Sequence, residues 1–381
     1  MAASDAPVKA GTLLTDKYRV ERVLGTGGMG VVVAARHLEI GELHAVKYVL
    51  PEARGLEEAG LRFLREARAA ARLKSEHAVK VFDVGRFPSG EPYMVMEYLA
   101  GHDLKEELRQ RGPLPVAQVA DFVLQACEAL AEAHAMGIIH RDLKPSNLFL
   151  TRANDGSPSI KVLDFGISKL IGALAEYDSD LTQTAALLGT PAYMSPEQMA
   201  EARDIDGRTD VWSLGIVLYE LLSGAKPFVG RSIPAITMAV ASQSVPSLRA
   251  RRPDVPIGLE TVVLRCLSKD RNARFPDVES FARALAPFAF AGGAALIDRI
   301  ARVQRVSVPE VSPASGWRPS VEPATRVLAQ PAIAPPAPTS YTAASWSGDA
   351  PAAGRRHLPA IVIAAVLTLV AVGAVAIWIA A

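Results

Sequence analysis

The sequence predicts an α+β fold in two lobes, followed by a disordered linker and one C-terminal transmembrane helix. Three observations carry this. Short β-branched runs crowd the first part of the chain, whereas from Val116 onward apolar residues recur at helical spacing. Strands first and helices later give segregated lobes rather than alternating βα units. Between Ser307 and Leu358 there are nine Pro among Ala and Ser, too few large aliphatics to offset the entropy of ordering. Ala360–Ala381 is 22 residues without a charge.

The elements follow in order. Residues 1–17 are expected as an N-terminal tail. Tyr18–Gly25, Val31–His37 and His44–Leu50 read as strands. Leu56–Leu73 reads as a helix with an Arg-rich face formed by Arg62, Arg65, Arg68 and Arg72. Val79–Phe87 and Pro92–Tyr98 are two further strands. Val119, Phe122, Val123, Ala126, Leu130 and Ala133 then mark a long helix. The folded domain is placed at 18–288, the Pro/Ala-rich linker at 289–357 and the transmembrane helix at 358–381.

At 1.5 Å rise per residue the terminal apolar run spans about 33 Å, enough for a hydrocarbon core. Trp378 sits near its far end, where an interfacial aromatic belongs. Arg355, Arg356 and His357 flank its N-terminal side, which the positive-inside rule assigns to the cytoplasm. Met1–Lys17 has no apolar core of a signal peptide. The expectation is a single-pass protein of the cell (inner) membrane with its large domain in the cytoplasm.

Composition narrows the function. Lys and Arg number 41 against 40 Asp and Glu, a formal charge of +1. That balance excludes a strongly basic nucleic-acid binder and an acidic tail protein. Two Cys, Cys127 and Cys266, can make neither a disulfide framework nor a zinc site. They read as buried small hydrophobes in a reducing compartment.

The first chemical signal is Gly25-Thr26-Gly27-Gly28-Met29-Gly30-Val31-Val32 between two strands. Glycines allow backbone N–H groups to approach phosphates closely. A dinucleotide site needs a helix directly after the glycines. Here a strand follows, which favours a glycine lid over ATP. Ala45-Val46-Lys47 puts an ammonium at the end of the third strand. A lysine there often only snorkels, but beneath a glycine lid it can reach the α and β phosphates. Glu66 on the next helix is the best-placed carboxylate to hold it. It could equally serve as a surface partner of Arg62, and Glu57 and Glu58 compete for the role.

The strongest signal is His140-Arg141-Asp142-Leu143-Lys144-Pro145-Ser146-Asn147, followed by Asp164-Phe165-Gly166. Phosphoryl transfer needs a carboxylate to orient the attacking hydroxyl, oxygen ligands for magnesium and positive charge near the γ-phosphate. Asp142 fits the base, Asn147 and Asp164 the metal ligands, and Lys144 the charge. Lid, Lys, Glu, loop and metal Asp occur in that order.

With these motifs the stretch Tyr18–Pro287 resembles the bacterial eukaryotic-type (Hanks-type) serine/threonine protein kinases. The Leu-Lys-Pro of the loop resembles serine/threonine rather than tyrosine kinases. The resemblance implies the bilobal kinase fold and transfer of the ATP γ-phosphate to Ser or Thr hydroxyls of protein substrates, with Mg²⁺ or Mn²⁺. It implies nucleotide contacts at Gly25, Gly27, Gly28, Gly30, Val32, Ala45 and Lys47. Met96 would be the gatekeeper, and Glu97 and Leu99 would offer backbone groups to adenine. Leu181–Gln198 is similar to an activation loop of this family, which implies autophosphorylation of Thr182 and Thr184. A phosphate there would pair with Arg141. Thr190 would line the hydroxyl's approach and contact Asp142. Glu197 would pair with Arg274, Asp210 would bind the backbone of the catalytic loop, and His140 would be scaffold rather than base. Ser195 stands where the family has Ala, and Thr151–Ser159 lengthens the turn before Asp164. Neither departure removes a catalytic group. The competing reading is a membrane-tethered pseudokinase. Tethering would favour phosphorylation between the copies of a homodimer.

Overall fold

The computed structural model describes residues 8–27, 30–49, 57–165, 190–202 and 204–306. All of them belong to one unit of the chain, Met1–Pro313. Five antiparallel strands come first: β1 (Tyr18–Gly27), β2 (Gly30–His37), β3 (Leu43–Val49), β4 (Val81–Arg86) and β5 (Pro92–Glu97). Their order in the sheet is β1-β2-β3-β5-β4. Side chains alternate across the sheet. On β2, Val31, Val33 and Ala35 join Val20, Val46 and Val95 in an outer apolar cluster. The other face carries Ala45, Met94 and Met96, and α1 (Glu57–Ala70) closes it with Phe63, Leu64 and Ala67.

The described part of the expected N-terminal tail is not a tail. The Gly11 N–H donates to Val20 O at 2.8 Å and the Val20 N–H to Thr12 O at 2.9 Å. Val8 and Leu14 pack against the outer cluster. Two apolar side chains and the free edge of β1 suffice to fold this segment back.

The second lobe is helical. It comprises α2 (Leu104–Arg111), α3 (Val116–Ala135), α4 (Pro196–Met199), α5 (Arg208–Ser223), α6 (Ile233–Ser242), α7 (Leu248–Arg251), α8 (Ile257–Cys266), α9 (Val278–Leu285) and α10 (Gly293–Val306). A small antiparallel sheet of β6 (His102–Asp103), β7 (Leu148–Arg152) and β8 (Pro158–Val162) lies with it. The residues Thr151–Ser159, noted above as a longer turn, are the tip of the β7–β8 hairpin, where Arg152 pairs with Pro158. Helices α3 and α5 are buried nearly all round, the polar Gln125 and Glu128 of α3 and Asp210 of α5 included. Cys127 and Cys266 are free and buried.

The helix α10 corrects the domain boundary. Residues 293–306 were expected within the linker, but Leu296, Ile297, Ile300 and Ala301 are buried, and the helix packs along α3. Arg299 Nε donates to Glu128 Oε2 of α3 at 2.9 Å. An Ala-rich stretch with no Pro carries one apolar stripe, and that stripe finds a partner face. The remaining linker, 307–357, and the apolar run 358–381 lie outside the described residues. Among the described residues no helix is long and apolar enough to cross a membrane.

Candidate active site

The glycine strands form the roof of the site. Strands β1 and β2 are joined across the register pair Gly27 and Gly30. Gly30 is required by close approach, since a Cβ there would stand 2.6 Å from the backbone O of Tyr48. Gly25 lies on β1, and Gly28 falls outside the described residues. Val32, Ala45, Met96 and Leu99 share one apolar cluster with Leu163. This brings together the residues expected to hold a flat aromatic ring. Ala45 faces Met96, and Lys47 faces Met94, across the β3–β5 register.

Glu97 does more than the sequence suggested. Its backbone N–H donates to Lys80 O at 2.9 Å. Its Oε1 accepts from the Lys80 N–H at 2.7 Å and from Lys161 Nζ at 2.8 Å. Its side chain therefore ties the inter-lobe segment to Lys80, just before β4, and to Lys161 of β8. A Glu on a connecting strand carries no sequence signal for this.

Beneath the roof, Lys47 Nζ donates to Asp164 Oδ1 at 2.7 Å. Burial pushes the Asp164 carboxyl up, but the Lys47 ammonium outweighs it, and the carboxyl is held below its ordinary value. Glu66 lies on α1, and its side chain falls outside those described.

The catalytic-loop residues sit between α3 and β7. Asp142 Oδ2 accepts from Lys144 Nζ at 2.8 Å and from Asn147 Nδ2 at 3.2 Å. Asn147 Nδ2 also donates to Asp142 O at 2.8 Å. Lys144 Nζ reaches Thr190 Oγ1 at 3.3 Å. Thr190 is thus linked to Asp142 through the ammonium. Asp142 Oδ1 carries no hydrogen bond among the described residues.

His140 is fully buried and plays scaffold. Its Nε2 lies 2.7 Å from Leu163 O, which makes that nitrogen the protonated one. Its Nδ1 then accepts the Asp142 N–H at 3.3 Å. Asp210, also fully buried, accepts the backbone N–H groups of His140 and Arg141, each at 2.9 Å. His134 Nε2 is 2.7 Å from the same carboxylate. Burial raises the Asp210 carboxyl and His134 lowers it, with a net downward shift. His134 was missed by the sequence reading. Its only signal is an imidazole in the last turn of a buried helix, six positions before His140.

Glu197 and Arg274 meet as the resemblance implied. Arg274 Nη1 and Nη2 donate to Glu197 Oε1 and Oε2 at 2.6 and 2.8 Å. Ser195 explains its own departure from Ala. It caps α4 in a capping box with Gln198, and its hydroxyl lies 2.6 Å from Thr209 Oγ1. Gln198 Nε2 in turn donates to Arg141 O at 2.8 Å. Thr182 and Thr184 lie outside the described residues.

The arrangement pairs an apolar slot with a lysine-held carboxylate and a second carboxylate having one open oxygen. That is equipment for binding a nucleotide and directing a hydroxyl at its terminal phosphate. A family profile described as the protein kinase domain matches residues 18–283. The chain is 37% identical over 283 residues to a serine/threonine-protein kinase, pkn3, of Myxococcus xanthus, covering 74% of this chain and 51% of that one. It is 41% identical over 266 residues to the serine/threonine-protein kinase PknB of Mycolicibacterium smegmatis, covering 69% and 41%. The chain thus spans about half or less of the length of these relatives. Among solved structures, the kinase domain of Mycobacterium tuberculosis PknI is similar at 32% identity and a TM-score of 0.57. That match covers 74% of this chain and all of the other.

Proposed function

The chain belongs to the protein kinase domain family, and from that premise we propose that it is an active serine/threonine protein kinase. The observation that carries the reading is the open Oδ1 of Asp142 beside an oxygen Oδ2 already occupied by Lys144 and Asn147. One face of the carboxylate is fixed, and the other is free to take a proton.

The apolar cluster of Val32, Ala45, Met96, Leu99 and Leu163 is the adenine slot. Lys47, fixed by Asp164, holds the α and β phosphates. The residues fit a divalent cation of the magnesium class. Asp164 Oδ2 and Asn147 Oδ1 carry no hydrogen bond among the described residues, and both are hard oxygen donors. When bound, Mg²⁺ (or Mn²⁺) would neutralise charge on the phosphates. Asp142 Oδ1 accepts the proton of the acceptor Ser or Thr hydroxyl as that oxygen bonds to the γ-phosphorus and the bond to the ADP oxygen breaks. Lys144 steadies the developing charge from beside Asp142, and Thr190 holds Lys144 toward the acceptor. Lys47, Asp142, Asn147 and Asp164 are all present and mutually engaged, so no observation favours a pseudokinase.

The full chain with Mg²⁺ and γ-labelled ATP should label itself on Thr182 or Thr184. Asp142→Asn should lose at least about a hundredfold in rate. A variant as active as the parent overturns the base assignment. The membrane reading is supported by the 22 uncharged residues Ala360–Ala381 and the Arg355-Arg356 flank. Protease added to intact spheroplasts should leave the kinase domain whole, and its digestion would refute the cytoplasmic orientation. A linker of about 50 residues gives a coil end-to-end distance of about 40 Å, so tethered copies would meet and phosphorylate one another as a homodimer.

A further inference from the structure

Two lysines beside the catalytic loop have no part in the transfer chemistry. Lys226 follows α5, where the left-handed Gly224 (φ +76°) reverses the chain. The turn is pinned by Ser223, whose Oγ donates to Ala225 O at 2.9 Å. This sets Lys226 Nζ 4.7 Å over the ring of Tyr193. The Tyr193 hydroxyl donates to Glu220 Oε2 at 2.5 Å. The Tyr193 N–H donates to Thr190 O at 3.1 Å, and Thr190 Oγ1 receives Lys144 Nζ. One continuous run therefore leads from Asp142 through Lys144, Thr190 and Tyr193 to Lys226 and Glu220.

Lys105, on the first turn of α2, is exposed, and α2 packs against the Pro145–Asn147 turn of the catalytic loop, where the Lys105 charge is felt by both Glu220 and Lys226. The charges do not balance. Asp142 is matched by Lys144, which leaves Lys105 and Lys226 facing the one carboxylate of Glu220. One of its oxygens, Oε2, accepts the Tyr193 hydroxyl, and its single negative charge offsets only one of the two ammonium groups. The nearest other acids on α2 are engaged elsewhere, Glu106 by Arg109 and Glu107 by Arg111 and His102. Burial lowers the Lys226 ammonium, Glu220 partly restores it, and Lys105 and Lys144 lower it further. An anion arriving here would relieve an excess of positive charge.

We propose that Lys226 and Lys105 form a subsite that selects protein substrates with an Asp or Glu side chain near the acceptor Ser or Thr. This rests on the kinase reading above. The test uses the full chain and synthetic peptides with one acceptor Thr in a neutral background. A Glu, an Ala or an Arg is walked across the flanking positions. At one or two positions Glu should raise kcat/KM about fivefold over Ala, mainly through KM, with Arg lower still. Lys226→Glu should invert the Glu-to-Arg ratio. Lys105→Glu, at an exposed position that disturbs no packing, should shift the ratio the same way if the first variant fails to fold. Raising salt should compress the parent's preference. A parent that phosphorylates no peptide overturns the kinase reading and the subsite together. A parent active on the neutral peptide but indifferent to Glu, or preferring Arg there, overturns the subsite alone. So does a Glu-to-Arg ratio unmoved in both variants.

Discussion

Breaking the ion pair between Glu197 and Arg274 should cost the helical lobe a large part of its stability. Arg274 is 1% exposed, and its guanidinium is fully engaged. Nε donates to Ser268 O at 2.8 Å, and Nη1 to Glu197 Oε1 at 2.6 Å and Arg208 O at 3.2 Å. Nη2 donates to Glu197 Oε2 at 2.8 Å and lies 3.4 Å from Lys269 O. The indole of Trp212 lies beneath, 4.9 Å from the guanidinium carbon. Glu197→Gln keeps one acceptor but turns an amide N–H₂ against Nη2 and strands a buried cation. Removing one partner of such a pair costs about 3–5 kcal/mol, against a total of about 5–15 kcal/mol for a domain. Arg274→Met should cost a similar amount by stranding the carboxylate, and the double variant less than the sum. A coupling of about 2 kcal/mol is expected. Urea denaturation followed by far-UV circular dichroism and tryptophan fluorescence measures all four proteins. The pH dependence supplies a second reading. Burial raises the Glu197 carboxyl, but Arg274 holds it below its ordinary value. The stability it confers is therefore complete above the ordinary carboxylate range and is lost as pH falls through the lowered value. Glu197→Gln should remove that part of the acid slope. A coupling below about 0.5 kcal/mol, or an unchanged acid slope, would refute the argument.

Other consequences follow from the same geometry. Ile300→Ala in α10 should destabilise the folded domain by about 2–5 kcal/mol, and a chain ending at residue 290 should melt well below one ending at 306. Equal melting temperatures would return α10 to the linker. Gly30→Ala drives a Cβ against Tyr48 O and should raise the KM for ATP by opening the β2–β3 register, as steady-state kinetics would show. Asp210→Asn presents an amide N–H₂ where three donors converge. It should lower kcat at least tenfold with little change in the KM for ATP, and an unaltered kcat would detach the scaffold from the chemistry.

Motifs that make their contacts locally were legible in the sequence. The Gly25–Val32 hairpin, Lys47 on its strand and Asp142 with Lys144 and Asn147 each depend on neighbours a few residues apart or on one register. The Glu197–Arg274 pair and the grip of Asp210 on the catalytic loop came with the family resemblance, because no local pattern joins residues about 70 positions apart. His134, Gln198 and the side-chain role of Glu97 escaped for the same reason. Each is an unremarkable polar residue until the tertiary fold carries it to its partner, a carboxylate for His134 and backbone groups for Glu97 and Gln198. The boundary at 288 failed differently. The run after Gly293 carries an apolar stripe of Leu296, Ile297, Ile300 and Ala301, but the face it covers is on α3, far away in the chain, and no local pattern announces that packing.

The catalytic loop holds conformations that side chains other than glycine avoid. Arg141 has φ +66° and Asp164 has φ +58°, each costing on the order of 1–3 kcal/mol. Both lie beside groups that must point in fixed directions. At Arg141 the opposing groups are explicit: Asp210 accepts its N–H, Gln198 donates to its carbonyl, and His140, one residue before, is held by the same Asp210. At Asp164 the Lys47 ammonium holds the side chain, and Leu163, one residue before, receives His140 Nε2 at its carbonyl and donates its N–H to Asn147 O. His140 therefore links both strained positions, with Asp210 at its backbone and Leu163 at its ring. A buried carboxylate such as Asp210 is a poor source of net stability, because desolvation offsets much of what its hydrogen bonds return. Its two backbone donors make better sense as orientation: they fix the peptide planes on either side of His140, Gln198 fixes the next plane at the Arg141 carbonyl, and together these set where Asp142 Oδ1 points.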